Sequence, residues 1–333
     1  MIPQVTEARA RAAFLGRLNG AAVDADTLFE RAAAVTDPRT GFLGVMRERT
    51  FDVGPLTRWE CRTTVADRFG APPAGTPGVV VTGHGGDHDA ARLAALLAAL
   101  ACRGSLAARA CAGIPGVSDV WGLDLVTGAL RRIPAREAHP GPDRGAPYRP
   151  PVGAAAGLTW AHAVEAGLAQ HCEELLVRRL ADPGIRVPRT HLPADGAPGA
   201  AEPLYVLRAL GEPVAHDLSG LLSVPACAIR LGSRTVLAVG ATRAEAVRSG
   251  AERALLAPWS PTRTVPAITA RQERPAPFFP GPSPGRVRFA EALYAQGRTP
   301  VAVLLDHDPQ AVGVLPYLVQ VIMVEARDPC NLA

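Results

Sequence analysis

Apolar residues recur at helical spacing along the first part of the chain, through Phe14, Leu18 and Leu28-Phe29, and predict helices over residues 5–35. The cluster Thr36-Asp37-Pro38-Arg39-Thr40-Gly41 breaks that periodicity as a turn, and Phe42-Leu43-Gly44-Val45-Met46 after it reads as a short strand. Thr57–Val65 and Val79-Val80-Val81 read as further strands. Gly83-His84-Gly85-Gly86-Asp87-His88 reads as a glycine turn into an Ala/Leu-rich helix over Asp89–Cys102, with Asp87 or Asp89 as its cap. Val117–Leu130 has the pattern of a hairpin around Thr127-Gly128. A Pro/Gly-rich loop over Pro134–Pro151 separates it from Gly153-Ala154-Ala155-Ala156-Gly157 and a second helix, Trp160–Leu180.

The second half repeats the alternation. Leu204–Leu210 is helical, Pro213–Asp217, Pro225–Arg230 and Val236–Val239 are strands, and a third helix, Arg243–Leu256, starts after the capping residue Thr242. Residues 259–284 are rich in proline and poor in aliphatic residues, a long loop. Arg288–Gln296 is a helix, and Val301–Leu305 and Leu318–Val324 are strands on either side of Asp306-His307-Asp308-Pro309. Strands in blocks with Ala-rich amphipathic helices predict an α+β fold: mostly antiparallel sheets packed with helices, with internal duplication. The expected division is a helical segment over 1–35, a main domain over 36–326 and a short tail over 327–333.

With 333 residues and 48% hydrophobic content, the chain can bury a substantial core. It contains no lysine, so its positive charge is arginine, and lysine Schiff-base or P-loop lysine chemistry is excluded. A net charge of +4 with no basic block interleaved with aromatics disfavours nucleic-acid binding. The six cysteines form no CxxC pair and match no zinc module, and Cys102, Cys172 and Cys227 lie in apolar runs as small buried hydrophobes. There is no basic-then-apolar N-terminal signal and no apolar run of about 18 residues free of charge or turn, so the expectation is a cytoplasmic protein without membrane association.

The order of these landmarks carries more information than any one of them. The Thr40-Gly41 opening, Gly83-x-Gly85 followed by Ala91-Arg92, Gly153-x-Ala155-x-Gly157, Val224-Pro225, and the closing pair Val301–Asp306 and Leu318–Val324 fall in one register over residues 35–326. In this order they resemble the YcaO family, whose members activate backbone amides of ribosomally made peptides with ATP. The resemblance implies glutamates on three helices that bind Mg2+ and, through it, triphosphate, because hard cations take carboxylate oxygens. On the first helix the implied Glu, Glu and Arg are Ala98, Ala101 and Cys102. On the second, two Glu and one Arg are implied where the chain has Gln170, Glu173 and Glu174. On the third, the implied Glu is Arg253, with Glu252 one residue, about 100°, away, and the following glutamine is Leu256.

Gln170, Glu173 and Glu252 are therefore the remnants of a family ATP site, and the expectation is a component of ribosomal-peptide (RiPP) biosynthesis that uses no cofactor of its own. It would be a degenerate subunit that pairs with an active YcaO protein or a leader-binding protein, as a homo- or heterodimer, and holds a precursor peptide whose amides the partner converts to azolines. The alternative is an active ATP- and Mg2+-dependent cyclodehydratase with a rebuilt site on the same three residues.

Other clusters have plainer readings. His84 and His88 with Asp87 and Asp89 could hold a metal, and Gly83–Gly86 could cradle phosphate, but a capped helix start explains both. His171-Cys172-Glu173-Glu174 are neighbours on a helix and point in different directions, with Glu174 placed to pair with Arg178. Asp306-His307-Asp308 reads as a strand-to-turn junction, with a His/Asp catalytic pair as the alternative.

Overall fold

The computed structural model describes residues 5–36, 41–53, 56–65, 78–114, 118–140, 148–192, 201–257, 265–266, 268–269, 271–274 and 288–325. The expected tail over 327–333 lies outside these residues, as does most of the expected turn at 36–41 and of the proline-rich loop. The chain forms two compact units, one comprising Met1–Phe51, Thr57–Leu168 and Arg298–Ala333, the other Asp52–Leu56 and Ala169–Gly297.

The first unit opens with α1 (Glu7–Leu18) and α2 (Ala25–Ala33), capped by Thr6 and Asp24, whose side chains accept from the N–H groups of Arg9 and Thr27. A three-stranded sheet follows in the order β1 (Arg47–Val53), β2 (Leu56–Val65), β3 (Val79–Gly85). Residues 42–46 do not form the expected strand; Leu43 makes only isolated bridges to Thr36 and Val65. α3 (His88–Ala112) packs on β3. The second sheet has the order β5-β4-β12-β13-β6, built from β4 (Asp119–Asp124), β5 (Leu130–Pro134), β6 (Ala154–Ala156), β12 (Arg298–Leu304) and β13 (Leu318–Glu325), every pairing antiparallel. The short helices α4 (Ala135–Ala138) and α10 (Pro309–Val314) complete this unit.

In the second unit the sheet order is β10-β9-β8-β7-β11, from β7 (Val187–Thr190), β8 (Val214–Asp217), β9 (Ala226–Leu231), β10 (Arg234–Val239) and β11 (Glu273–Arg274). The β11–β7 pair is parallel and the others antiparallel. α6 (Ala201–Leu210) and α8 (Arg243–Leu256) pack together, α8 lies on β9 and β10, and α7 (Ser219–Leu222) and α9 (Phe289–Tyr294) are short. α5 (Trp160–Leu180) passes from one unit to the other at Leu168. The fold is thus α+β with mostly antiparallel sheets, as the pattern predicts.

One junction from strand to helix occurs three times. A Cβ on Gly85 would lie 2.4 Å from the Ala91 nitrogen, one on Gly157 2.3 Å from that of Ala163, and one on Gly240 2.5 Å from that of Ala246. In each case the helical alanine follows the glycine by six residues, and the N-cap follows it by two. Those caps are Asp87, Thr159 and Thr242, which accept from Ala90 N at 2.7 Å, His162 N at 3.0 Å and Glu245 N at 3.2 Å. Any side chain at the glycine would strike helix backbone, which cannot yield as a side chain can. These glycines are strand ends rather than the turns the sequence suggests: β3 runs through Gly83 and His84, and Ala154–Ala156 is itself a strand. A Cβ on Gly83 would sit 2.0 Å from Ala95 N, so α3 packs directly on this strand, in keeping with the capped helix start preferred over a phosphate cradle.

α3 also runs ten residues further than the sequence suggests, ending at Ala112 instead of Cys102. Arg103 and Gly104, just past the expected end, are buried. Arg103 Nε donates to Asp308 Oδ2 at 2.5 Å, and a Cβ on Gly104 would meet Leu305 Cβ at 3.0 Å. α3 is long and apolar enough to cross a membrane by length and composition, with 67% of its most apolar window buried. It packs on β3, β6 and β13, which accounts for that composition.

Gly85→Ala, Gly157→Ala and Gly240→Ala should each lower unfolding stability by at least about 2 kcal/mol in urea titrations. Gly16→Ala in α1, where a Cβ meets nothing within 4 Å, should leave stability unchanged or raise it by up to about 1 kcal/mol. Tolerance of alanine at all three junctions would mean that close backbone approach does not set the strand-to-helix geometry.

Candidate functional site

α5 and α8 bring together two of the residues singled out from sequence. Arg253 Nη1 donates to Glu173 Oε1 at 2.6 Å and to the Leu237 carbonyl of β10 at 2.8 Å. The arginine at the position where a glutamate is implied thus holds the one carboxylate that matches. The pair is partly shielded from solvent, and a charge-assisted bond there is stronger than a neutral one. Gln170 lies three residues before Glu173, on the same face of α5. Glu252 is exposed, about 100° round α8 from Arg253, so its side chain is turned away from the pair. Glu174 pairs with Arg178 at 2.9 Å, as its spacing implies. Sequence reading placed Arg253 as a lost glutamate but missed its bond to Glu173, because the two are 80 residues apart.

On α3, Ala101 and Cys102 are buried and Ala98 is half-buried, so the first helix offers packing surface where acidic residues are implied. The guanidinium of Arg103, the next residue, lies 5.0 Å from the Phe42 ring centroid besides its bond to Asp308. The other carboxylate oxygen of Asp308 accepts from Gln310 N at the start of α10. Asp306-His307-Asp308 is therefore a strand-to-helix junction with Asp308 as the cap of α10, where the sequence suggests a strand-to-turn junction.

The histidines near the start of α3 do not converge. His84 on β3 stands opposite Glu60 of β2, and burial holds its pKa below the usual range. His88 has Nε2 2.8 Å from Glu48 Oε2 and Nδ1 3.1 Å from Asp89 Oδ1, and those hydrogen bonds raise its pKa. Among the described residues no group of three or more His, Cys, Asp or Glu could hold a metal ion. Burial pushes the Cys172 and Cys227 thiols up to about 12, which makes them inert core groups rather than nucleophiles.

A second histidine pair sits in the first unit. His139 and His307 meet edge to face, with ring centroids 5.5 Å apart. Burial, with the neighbouring His307 ring, takes His139 down to about 3, and burial also lowers His307 against the opposing pull of Asp306.

Comparison with known proteins places the fold. No family model matches the sequence, and no curated protein matches it. Solved structures do. The chain superposes on a heterocyclase in complex with substrate and cofactor, with TM-score 0.61 and 14% identity, covering 91% of this chain and 52% of the other. It superposes on YcaO from Methanopyrus kandleri bound with AMPPCP and Mg2+, with TM-score 0.51 and 17% identity, covering 89% of each. The chain therefore has a YcaO-like fold, and spans about half the length of the heterocyclase.

Two measurements check these geometries. A double-mutant cycle of Arg253→Met and Glu173→Gln should give a coupling of about 1 kcal/mol, within the range of partly shielded ion pairs; zero coupling would remove the clamp. For His139 the folded pKa is depressed below the unfolded value of 6.5, so its stabilising contribution is complete above pH 6.5 and is lost as pH falls towards 3. Stability should fall by on the order of 4 kcal/mol across that window from this group. His139→Leu should flatten the slope, and an unchanged slope would show that His139 titrates normally.

Proposed function

We propose that this chain is a non-catalytic subunit of YcaO-like fold acting in ribosomal-peptide biosynthesis. It docks with an active YcaO enzyme, or with a leader-peptide-binding protein, and helps hold the precursor peptide while the partner converts its backbone amides to azolines. The observation that carries this reading is the Glu173–Arg253 bond. A magnesium-bound triphosphate needs several free carboxylate oxygens to neutralise the phosphates and fill the metal's coordination sphere. Here Ala98, Ala101 and Cys102 supply none, Glu252 is turned away, and Glu173 is already neutralised by an arginine that would have to be displaced. The residues present do not fit Mg2+–ATP.

The reading has a nucleotide test and a pathway test. Calorimetry on the purified chain should show no saturable Mg2+-dependent ATP binding in the millimolar range. In a strain lacking the gene, mature peptide product should be lost, and a Gln170→Ala/Glu173→Ala double variant should restore it fully. Micromolar ATP binding, or loss of product with a folded, partner-bound double variant, would replace this reading with an active cyclodehydratase using Gln170, Glu173 and Glu252. The chain should also be recovered in a dimer or hetero-complex burying about 1,500 Å² or more; a monomer in light scattering with no partner on co-expression would count against the docking role.

A further inference from the structure

Among the described residues, the three-stranded sheet of the first unit keeps one long edge open. β1 forms that edge, and Arg47, Glu48, Arg49 and Thr50 along it are all exposed. Other edges are closed or short. Five of the six residues of β10 are buried, and its Leu237 carbonyl already accepts from Arg253. β6 has three residues and β11 two, and β5 ends in Pro134, which has no N–H to offer. β3, on the far side of its sheet, is packed against α3. An open edge presents backbone N–H and C=O groups that another chain can pair with.

The two sides of this edge differ in charge. Cys61 of β2 packs on Ala91 and Ala95 of α3, so Glu60, Arg62 and Thr64 point to the opposite side of the sheet. Glu48 of β1 reaches the start of α3, with Oε2 2.8 Å from His88 Nε2. Alternation then puts Arg47 and Arg49 on the same side as Arg62, away from α3. Three arginines share that side with one carboxylate, Glu60, which is only 2% exposed. Arg62 holds Glu60 through two bonds, Nε to Oε1 at 2.8 Å and Nη2 to Oε2 at 3.2 Å. Arg62 is still 45% exposed, and Arg47 makes no ion pair among the described residues.

This charge pattern selects what can pair with the edge. A second copy adding its own β1 antiparallel would bring the same arginines beside Arg47 and Arg49. Like charges across neighbouring strands are destabilising, so the edge is guarded against itself. An extended segment with a carboxylate at every second position has the opposite match. Its carboxylates fall beside Arg47 and Arg49 while its backbone pairs with β1.

We propose that β1 takes an extended acidic segment of another polypeptide as an added strand. Backbone pairing with the edge supplies the hold, and the arginines supply the preference for alternating carboxylates. The inference does not rest on the scaffold role, since an acidic strand would bind here whether or not the chain binds ATP.

The test uses the full chain and an end-blocked peptide of alternating threonine and glutamate that matches the seven residues of β1. Affinity is read by fluorescence anisotropy, and the site by hydrogen exchange of the amides of Arg47–Thr50. The peptide should bind with a sub-millimolar Kd and slow exchange in that segment. Replacing its glutamates by glutamine should weaken binding about tenfold, and by lysine should abolish it. Arg47→Glu should weaken it about fivefold or more. Arg136→Glu, the same charge reversal at an exposed residue of α4, should leave it unchanged. N-methylation of one alternate set of peptide amides should abolish binding and slowed exchange, because only one set faces the edge. The proposal is overturned if the acidic peptide does not bind, or if the glutamine peptide binds as tightly. Equal weakening by Arg136→Glu and Arg47→Glu would assign the binding to net charge alone and overturn the site. Full binding by both N-methylated peptides would overturn strand addition. Dimerisation of the free chain with slowed exchange at Arg47–Thr50 would make the occupant a second copy and overturn the acidic partner.

Discussion

The structure depends on one steric constraint: a strand must end against the backbone of the helix that follows it. At Gly85, Gly157 and Gly240 there is no room for a Cβ, because the nitrogen of the helical residue six positions later occupies that space. The capping residue two positions after each glycine satisfies a first-turn N–H that would otherwise be orphaned by the sharp turn. Glycine and cap together fix where each helix begins and which face it presents. Every candidate residue on α3, α5 and α8 inherits its position from these three junctions.

Because backbone contact holds the helices in place, the side chains along them are free to change chemistry without loss of fold. On α3 the positions where the resemblance implies an acidic face hold Ala98, Ala101 and Cys102, and the next residue, Arg103, is held in a buried ion pair with Asp308. Breaking such a pair leaves a buried charge behind, so it acts as a structural commitment rather than a replaceable surface contact. On α8 an arginine stands where a glutamate is implied and reaches the glutamate that remains on α5. In this chain Glu173 is charge-paired by Arg253.

The second unit shows the reverse situation. Its helix-covered sheet face is apolar and packed closely, since a Cβ on Gly250 would lie 2.9 Å from Cys227 Sγ and 3.1 Å from Ile229 Cδ1. The opposite face carries arginine, histidine and threonine atoms that nothing in the described chain satisfies. One sheet thus buries apolar side chains against α8 on one side and polar ones, His216 and Thr235 among them, on the other.

Local chemistry was legible in the sequence. Helical periodicity, the caps Asp87 and Thr242, the hairpin at Thr127-Gly128, the buried cysteines and the Glu174–Arg178 pair all rest on interactions within a few residues, and they stand as the sequence predicts. The order of glycine landmarks pointed to the YcaO-like fold. What the sequence could not disclose lies between distant segments. Gly83-x-Gly85 reads as a turn until α3 is seen packed on it, and that helix reads as ending at Cys102 until Asp308 and Leu305 are brought beside Arg103 and Gly104. Glu173 looks like a surviving ligand until Arg253 closes on it, and His216, Arg230 and Thr235 look unrelated until strand register lines them up. Periodicity and capping are encoded over one or two turns of chain, whereas charge pairing and sheet register are set by which segments meet, and only the tertiary structure decides that.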